Sequence, residues 1–224
     1  MGYLSDADQQ TVTAAVTAAE ADTSGEIVTV LADRSDGYTD VNLLWAVGAA
    51  FTAMSLFAAF PDVFLDKLDW LAGGWSHEWT PGEIIAWTVG LGLAKFLGVW
   101  LLVSWDALRF LVIPGPVKLA RVRDAAVRHF KVGAERRTHG HTGVLLYVSM
   151  REHRAEIVAD EAIAAKVDAE VWGEAMADMI TEIRQGRIAE GLAAGVRDVG
   201  AVLAQHFPRA EDDQNELPDR LIEV

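Results

Sequence analysis

Two stretches break the alternation of polar and apolar positions along the chain. Residues 41–60 run for 20 positions without a charged side chain, and residues 84–105 carry a single charge, Lys95, in 22 positions. At about 1.5 Å of rise per residue, either run is long enough as a helix to cross the ~30 Å hydrocarbon layer of a bilayer. Neither has a polar face to turn toward water, so neither fits against one side of a soluble core. They predict two transmembrane helices folded as a hairpin, with Gly90, Gly92 and Gly98 on the second helix permitting close approach of a neighbour. The connecting loop, residues 61–83, places Trp70, Trp75 and Trp79 beside Asp62, Asp66 and Asp69. Rings and acids in alternation are expected of a segment lying in the headgroup layer.

The flanking segments follow other periods. Ser5 with Asp8 reads as a capping box, and Val12, Ala15, Val16 and Ala19 recur at helical spacing until Ser24-Gly25. Residues 26–31 are short and rich in β-branched side chains, which predicts a buried strand ending near Asp33. After Pro114-Gly115-Pro116 a basic helix is expected to about residue 137, with Leu119, Val122, Ala126 and Phe130 on one face. Residues 143–150 form a near-continuous apolar run and residues 154–160 follow a polar turn, which predicts a strand parallel to the first and then an antiparallel hairpin. Two amphipathic helices, 171–185 and 188–207, complete the pattern.

The expected fold class is α/β: a small mixed β-sheet sandwiched by helices and interrupted by a two-helix transmembrane hairpin. The domain divisions are 1–40 and 114–208 for the two parts of one soluble domain, 41–113 for the hairpin, and 209–224 for a tail. That tail holds six acids against two arginines and is expected to be a mobile solvated end.

Charge narrows the possible partners. The chain has 19 Lys and Arg against 33 Asp and Glu, a net charge of −14, which excludes a general nucleic-acid binder. There is no cysteine, so disulfides and thiolate chemistry are excluded as well. Basic residues flank the apolar runs unevenly, with Arg34, Arg109, Lys118, Arg121 and Arg123 outside them and only Lys67 in the loop between. By the positive-inside rule both termini are expected in the cytoplasm and the loop 61–83 outside it. Between Asp106 and Arg137 there are eight bases and three acids, so Arg109, Lys118, Arg121 and Arg123 are candidates for contact with anionic lipid headgroups. Lys95, deep in the second run and without an acid in the first, points to a contact with another membrane protein.

Candidate chemistry is sparse. The carboxyl ends of the parallel strands would gather Asp33, Asp36, Ser149 and Glu152, where open α/β folds bind ligands. Asp160 and Glu161 end the antiparallel strand. Oxygen ligands of this kind suit Ca²⁺ or Mg²⁺, although acids at loop tips are more often simply solvated. His139 and His141 offer two imidazoles to a transition metal without a third ligand at recognisable spacing, and a polar loop is the plainer reading. No phosphate-cradling glycine loop, nucleophile elbow or zinc-protease helix occurs.

Residues 23–30 (TSGEIVTV), 142–149 (TGVLLYVS), 156–161 (EIVADE) and the Gly191-Leu192 helix together resemble the TPM-domain family, in its bacterial branch with a membrane hairpin after the first strand. Relatives often carry a glycine-containing turn after the last strand, where this chain reads Ala159-Asp160-Glu161-Ala162-Ile163. The resemblance implies two kinds of role: some family members are linked to acid phosphatase activity and divalent-metal binding, and others serve membrane complexes as accessory subunits. The leading expectation is a multi-pass protein of the bacterial inner membrane, an accessory, assembly or repair factor in contact with lipid and other membrane subunits. The rival is a divalent-metal-dependent phosphatase using Asp33, Asp36 and Asp160.

Overall fold

The computed structural model describes residues 2–71, 78–133, 142–210 and 215–224. In chain order the elements are α1 (Asp6–Glu20), β1 (Glu26–Ala32), α2 (Thr39–Ala59), α3 (Pro61–Leu71), α4 (Pro81–Ser104), α5 (Asp106–Val112), α6 (Gly115–Gly133), β2 (Gly143–Ser149), β3 (Arg154–Ala159), α7 (Glu161–Ala164), α8 (Ala169–Arg184), α9 (Ile188–His206) and β4 (Ile222–Glu223). They form two compact units, one made of Met1–Asp36 with Gly115–Val224 and the other of Gly37–Pro114.

The first unit is built on a mixed sheet in the order β3-β2-β1-β4. β1 and β2 are parallel in the register Glu26↔Gly143 to Ala32↔Ser149, and β3 returns antiparallel to β2. Every residue of β1 and β2 is buried, as expected of central strands with both faces covered. Alternation then divides the core in two. Ile27, Leu31, Val144, Leu146 and Val148 face a layer containing Val12, Val16, Met179, Leu192, Val196 and Leu203 of α1, α8 and α9. Val28, Val30, Leu145 and Tyr147 face Val122, Ala125, Ala126 and Phe130 of α6. Three layers therefore account for both faces of the sheet.

Two glycines of α9 set how tightly its layer packs. A Cβ on Gly191 would lie 2.7 Å from Ile183 Cγ1 and 2.8 Å from the Met179 carbonyl oxygen, and one on Gly200 would lie 2.6 Å from Ala19 Cβ. Any larger residue would push α8 or α1 away. At the other end of the layer, the expected capping box is formed: Ser5 Oγ accepts the Asp8 amide hydrogen at 3.2 Å while Asp8 Oδ2 accepts that of Ser5 at 3.0 Å.

The acidic tail departs from the expectation of a solvated end. Its last residues form β4, which pairs parallel to β1 through Val30↔Ile222 and Leu31↔Glu223. Leu217 and Leu221 are buried, and the buried Glu26 carboxylate accepts the amide hydrogens of Glu216 and Leu217 at 3.2 and 3.1 Å. Two apolar anchors and two charge-assisted hydrogen bonds outweigh the solvation of the neighbouring acids.

The second unit joins α2 and α4 side by side, with α3 in the connection and α5 after the second helix. Both long helices satisfy the length and composition of a membrane span, and only 28% and 6% of their most apolar windows are buried. α4 begins at Pro81, three positions before the apolar run, because Thr80 and Glu83 form a capping box with proline in the first turn.

Candidate functional site

Among the glycines expected at the helix interface, only Gly92 meets α2: a Cβ there would lie 2.6 Å from Met54 Sδ. Gly90 and Gly98 have open space around them. At roughly 100° per residue they stand about 200° and 240° around α4 from Gly92, so they face away from α2. Lys95 is also exposed on α4 and, among the described residues, makes no hydrogen bond or ion pair.

The bases expected at lipid headgroups are differently placed. Arg109 is not free to reach out: its guanidinium is 14% exposed, donates to the Ser104 carbonyl at 2.9 Å and lies 3.2 Å from Asp106. A cation there satisfies the end of α4 and complements its dipole, which explains why it turns inward. Arg121 pairs with Asp36 at 3.3 Å, and Arg123 approaches Glu156 at 4.0 Å while remaining largely exposed. Lys118 is engaged as well.

At the carboxyl ends of the parallel strands, hydrogen bonding continues past the last paired residues. The Met150 amide donates to the Ala32 carbonyl at 3.0 Å, Arg151 to that of Asp33 at 2.9 Å, and Asp33 to that of Val224 at 2.8 Å. Asp33 is thereby held between the β2–β3 turn and the end of the tail. Its Oδ1 accepts the Tyr3 hydroxyl hydrogen and that of Arg151 Nε at 3.2 Å. The Tyr3 hydrogen bond, followed by Arg151, holds the Asp33 carboxyl below the usual carboxylate range, and the same bond pushes the Tyr3 hydroxyl up.

A second set of bonds lies behind it. The buried Glu152 accepts the Ser149 hydroxyl hydrogen at one oxygen and the Ser35 amide hydrogen, at 2.9 Å, at the other. Ser35 Oγ in turn lies 3.1 Å from the hydroxyl of Tyr147, which burial raises above its ordinary value. The His129 ring stacks on Tyr147 with centroids 5.5 Å apart, and burial followed by Arg128 pulls its imidazole below the ordinary 6.5. Tyr3, Ser35, Tyr147 and Arg151 are the partners that sequence reasoning missed. Of these, Arg151 had a local signal, as a base in the turn between two recognised strands.

Asp160 belongs elsewhere. Its Oδ2 accepts the amide hydrogen of Gly143, at the start of β2, at 3.0 Å, and Glu161 opens α7 beside it. The seven residues of β2 separate this end of the sheet from Asp33, about 20 Å at strand spacing. An antiparallel β3 makes this unavoidable, so Asp33 and Asp36 do not share a site with Asp160 and Glu161. Among the described residues no three His, Asp or Glu side chains gather in a metal-binding group. His139 and His141 lie outside the described residues, as does Trp75. The engaged oxygens of Asp33 and Glu152 suit Ca²⁺ or Mg²⁺ only if donors now on them move aside. As it stands, the arrangement locks the β2–β3 turn, the amino-terminal Tyr3 and the carboxyl-terminal residue together.

Comparison with known proteins agrees with this architecture. A family model described as the TPM domain matches residues 115–202. The fold is similar to that in the NMR structure of the BA42 protein from the psychrophilic bacterium Bizionia argentinensis sp. nov., with a TM-score of 0.56 and 18% identity over 99% of this chain and 95% of that one. No match was found among curated proteins. Residues 115–202, which supply α6, β2, β3 and the α8–α9 layer, are therefore a TPM domain.

Proposed function

We propose that the chain is an integral protein of the bacterial inner membrane whose TPM domain, on the cytoplasmic side, serves a larger membrane complex as an accessory, assembly or repair factor. The observation that carries this reading is the outward surface of α2 and α4. Leu44, Phe51, Leu93, Leu97 and Leu101 are all exposed there, an apolar surface that water does not favour and lipid does. Two crossings return the chain to the side on which it started, which lets Met1–Asp36 and Gly115–Val224 fold as one unit. The excess of bases flanking the runs supports the cytoplasm as that side.

Lys95 supplies the argument for a protein partner. It stands nine residues before the end of α4, about 14 Å along the axis, and helical side chains lean toward the amino terminus, away from the nearer end. Its ammonium is poorly placed to reach a headgroup layer, so the partner is a membrane helix presenting a carboxylate or other acceptor at that depth. Gly90 and Gly98 leave room on the faces of α4 that turn away from α2.

Purification of the tagged chain from membranes in mild detergent tests the proposal. Stoichiometric recovery of other membrane subunits from wild type, and their loss from Lys95→Leu, is the expected result. Recovery of this polypeptide alone overturns the accessory role. Turnover of a phosphate ester that requires Mg²⁺ and is abolished in Asp33→Asn would instead establish the phosphatase.

A further inference from the structure

The two edges of the sheet are finished differently. On the outer side of β1 the chain supplies its own partners. The Ile27 amide donates to Glu20 Oε1 at 2.8 Å, the Leu31 carbonyl accepts the Val224 amide hydrogen at 3.0 Å, and the Asp33 amide donates to the Val224 carbonyl at 2.8 Å. β3 is the opposite edge, and among the described residues no strand pairs with its outer side.

The ladder fixes which groups of β3 face outward. Even-numbered residues at both ends of β2 bond to β1: the Thr142 carbonyl accepts the Glu26 amide hydrogen, and the Met150 amide donates to the Ala32 carbonyl, each at 3.0 Å. The odd-numbered residues of β2 therefore face β3, and the Asp160 amide keeps this phase by donating to the Gly143 carbonyl at 2.9 Å. With Leu145 opposite Val158 and Tyr147 opposite Glu156, the backbone of Glu156 and Val158 turns inward and that of Ala155, Ile157 and Ala159 turns outward. Among the described residues these three have no partner for their outward N–H and C=O groups. Neither a bulge nor a proline blunts the edge.

The two flanks of this edge set the chemistry of what fits it. The side chains of Ala155, Ile157 and Ala159 lie on the face of α8, where Trp172, Met176, Ile180 and Ile183 are only half-buried. A cavity of about 490 Å³ opens beside Ala155 at the turn end of the edge, walled by Met150, Ile180 and Ile183. Arg184 and His153 stand at that cavity, and no Asp or Glu lines it. The other flank is charged: the Arg154 guanidinium lies 4.0 Å from where a Cβ on Gly115 would stand, and Glu156 meets Arg123 at 4.0 Å.

We propose that the outer edge of β3 receives an extended segment of another protein as a fifth, antiparallel strand, apolar at alternate positions and acidic at its carboxyl end. Antiparallel pairing is the stronger ladder, and it brings the carboxyl end of the added segment to the start of β3, beside Arg184 and His153. Opposite Ala155, Ile157 and Ala159, the segment's amides face β3 while its apolar side chains enter the groove against α8. Its intervening polar side chains lie on the charged flank. Main-chain hydrogen bonds supply affinity in such a mode and the groove supplies selectivity. This edge is independent of Lys95 and of the accessory role of the hairpin.

The probe is a labelled octapeptide of alternating valine and threonine ending in glutamate, added to the full chain in lipid nanodiscs with empty nanodiscs as background. Fluorescence anisotropy should show saturable binding of one peptide per chain. N-methylation of the valine amides, which face β3, should weaken binding at least about tenfold, whereas N-methylation of the threonine amides should leave it within about threefold. Amide exchange at Ala155, Ile157 and Ala159 should be fast in the chain alone and slow at least about tenfold with the peptide, while Glu156 and Val158 stay protected in both. Ala155→Pro removes an outward donor and spares the ladder to β2, so it should abolish binding, as should Ile180→Trp, which fills the cavity. Arg184→Gln should remove the preference for the glutamate-ended peptide over one ending in glutamine. Peptide uptake no greater than in empty discs overturns the proposal, as does equal sensitivity to the two N-methylations or undiminished binding to Ala155→Pro. Slow exchange at Ala155, Ile157 and Ala159 that quickens on dilution overturns it too, because the occupant is then a second copy of the chain.

Discussion

Leu146 and Leu101 both lie in regular elements, yet Leu146 is fully buried and Leu101 is 64% exposed. The difference lies in the number of layers. Around the sheet, α6 covers one face and α1, α8 and α9 the other, so each apolar position meets protein. In the hairpin, each long helix can cover only a stripe of its neighbour, and among the described residues little else covers the rest of each circumference. An apolar side chain thus shows that water is to be excluded, while the number of available layers decides whether the rest of the chain can exclude it; for the hairpin the proposed membrane would do so.

The contrast is broken most severely at the sheet. Leu146→Ala should destabilise the sheet-containing unit by about 2–5 kcal/mol, whereas Leu101→Ala should change its stability by less than about 0.5 kcal/mol. Urea unfolding followed by circular dichroism in nanodiscs measures both, and equal losses would refute the layer argument. Next in size is Leu97→Asp, on the outward face of α4, which should cost membrane insertion about 2.5–3.5 kcal/mol. Its measure is the fraction of chain retained in carbonate-washed membranes. Val132→Asp, still more exposed but on α6, should leave that fraction unchanged.

These two units also differ in how far their sequences disclose them. The hairpin is legible because its signal is continuous over 20 residues and needs no distant partner. β1 and β2 are legible for a related reason: burial on both faces makes them uninterrupted apolar runs. The tail was not legible, since β4 has two residues, too few for any periodicity, and Glu26 acts on it from 190 residues away. The candidate site was half legible. Strand order placed Asp33 and Glu152 at one end of the sheet, but Tyr3 and Ser35, which occupy their oxygens, come from segments without a pattern of their own. The Thr80–Glu83 capping box was readable and marks the start of α4 better than hydropathy does.

The tail supplies a smaller test. Glu26→Ala leaves the Glu216 and Leu217 amides without their acceptor and should cost about 1.5–3 kcal/mol, the range for hydrogen bonds to a charged group. Amide exchange at Ile222–Glu223 should accelerate well before that of β2. Uniform acceleration across the sheet would instead make the tail part of the central cooperative unit.

The smallest effect is one of pH and sets two groups on the α6 side of the sheet against each other. His129 lies against Tyr147, and burial followed by Arg128 pulls its imidazole below 6.5, so the unfolded chain binds its proton more readily. Its contribution is therefore intact at neutral pH and declines as pH falls through 6.5 toward the lowered value. Glu156 has the opposite sign: burial, only partly offset by Arg123, raises its carboxyl above 4.5, so protonation favours the folded state and stability declines as pH rises from 4.5 toward the raised value. Asp33, held below 3.8, loses its contribution only at lower pH and leaves this window clear. Unfolding midpoints between pH 5 and 8 should accordingly fall less steeply on acidification in His129→Gln than in wild type. Glu156→Gln should raise the midpoint modestly at neutral pH and steepen the fall on acidification. An unchanged slope in His129→Gln would show that its ring takes up a proton without leaving Tyr147, and that α6 covers this face of the sheet more loosely than α8 and α9 cover the other.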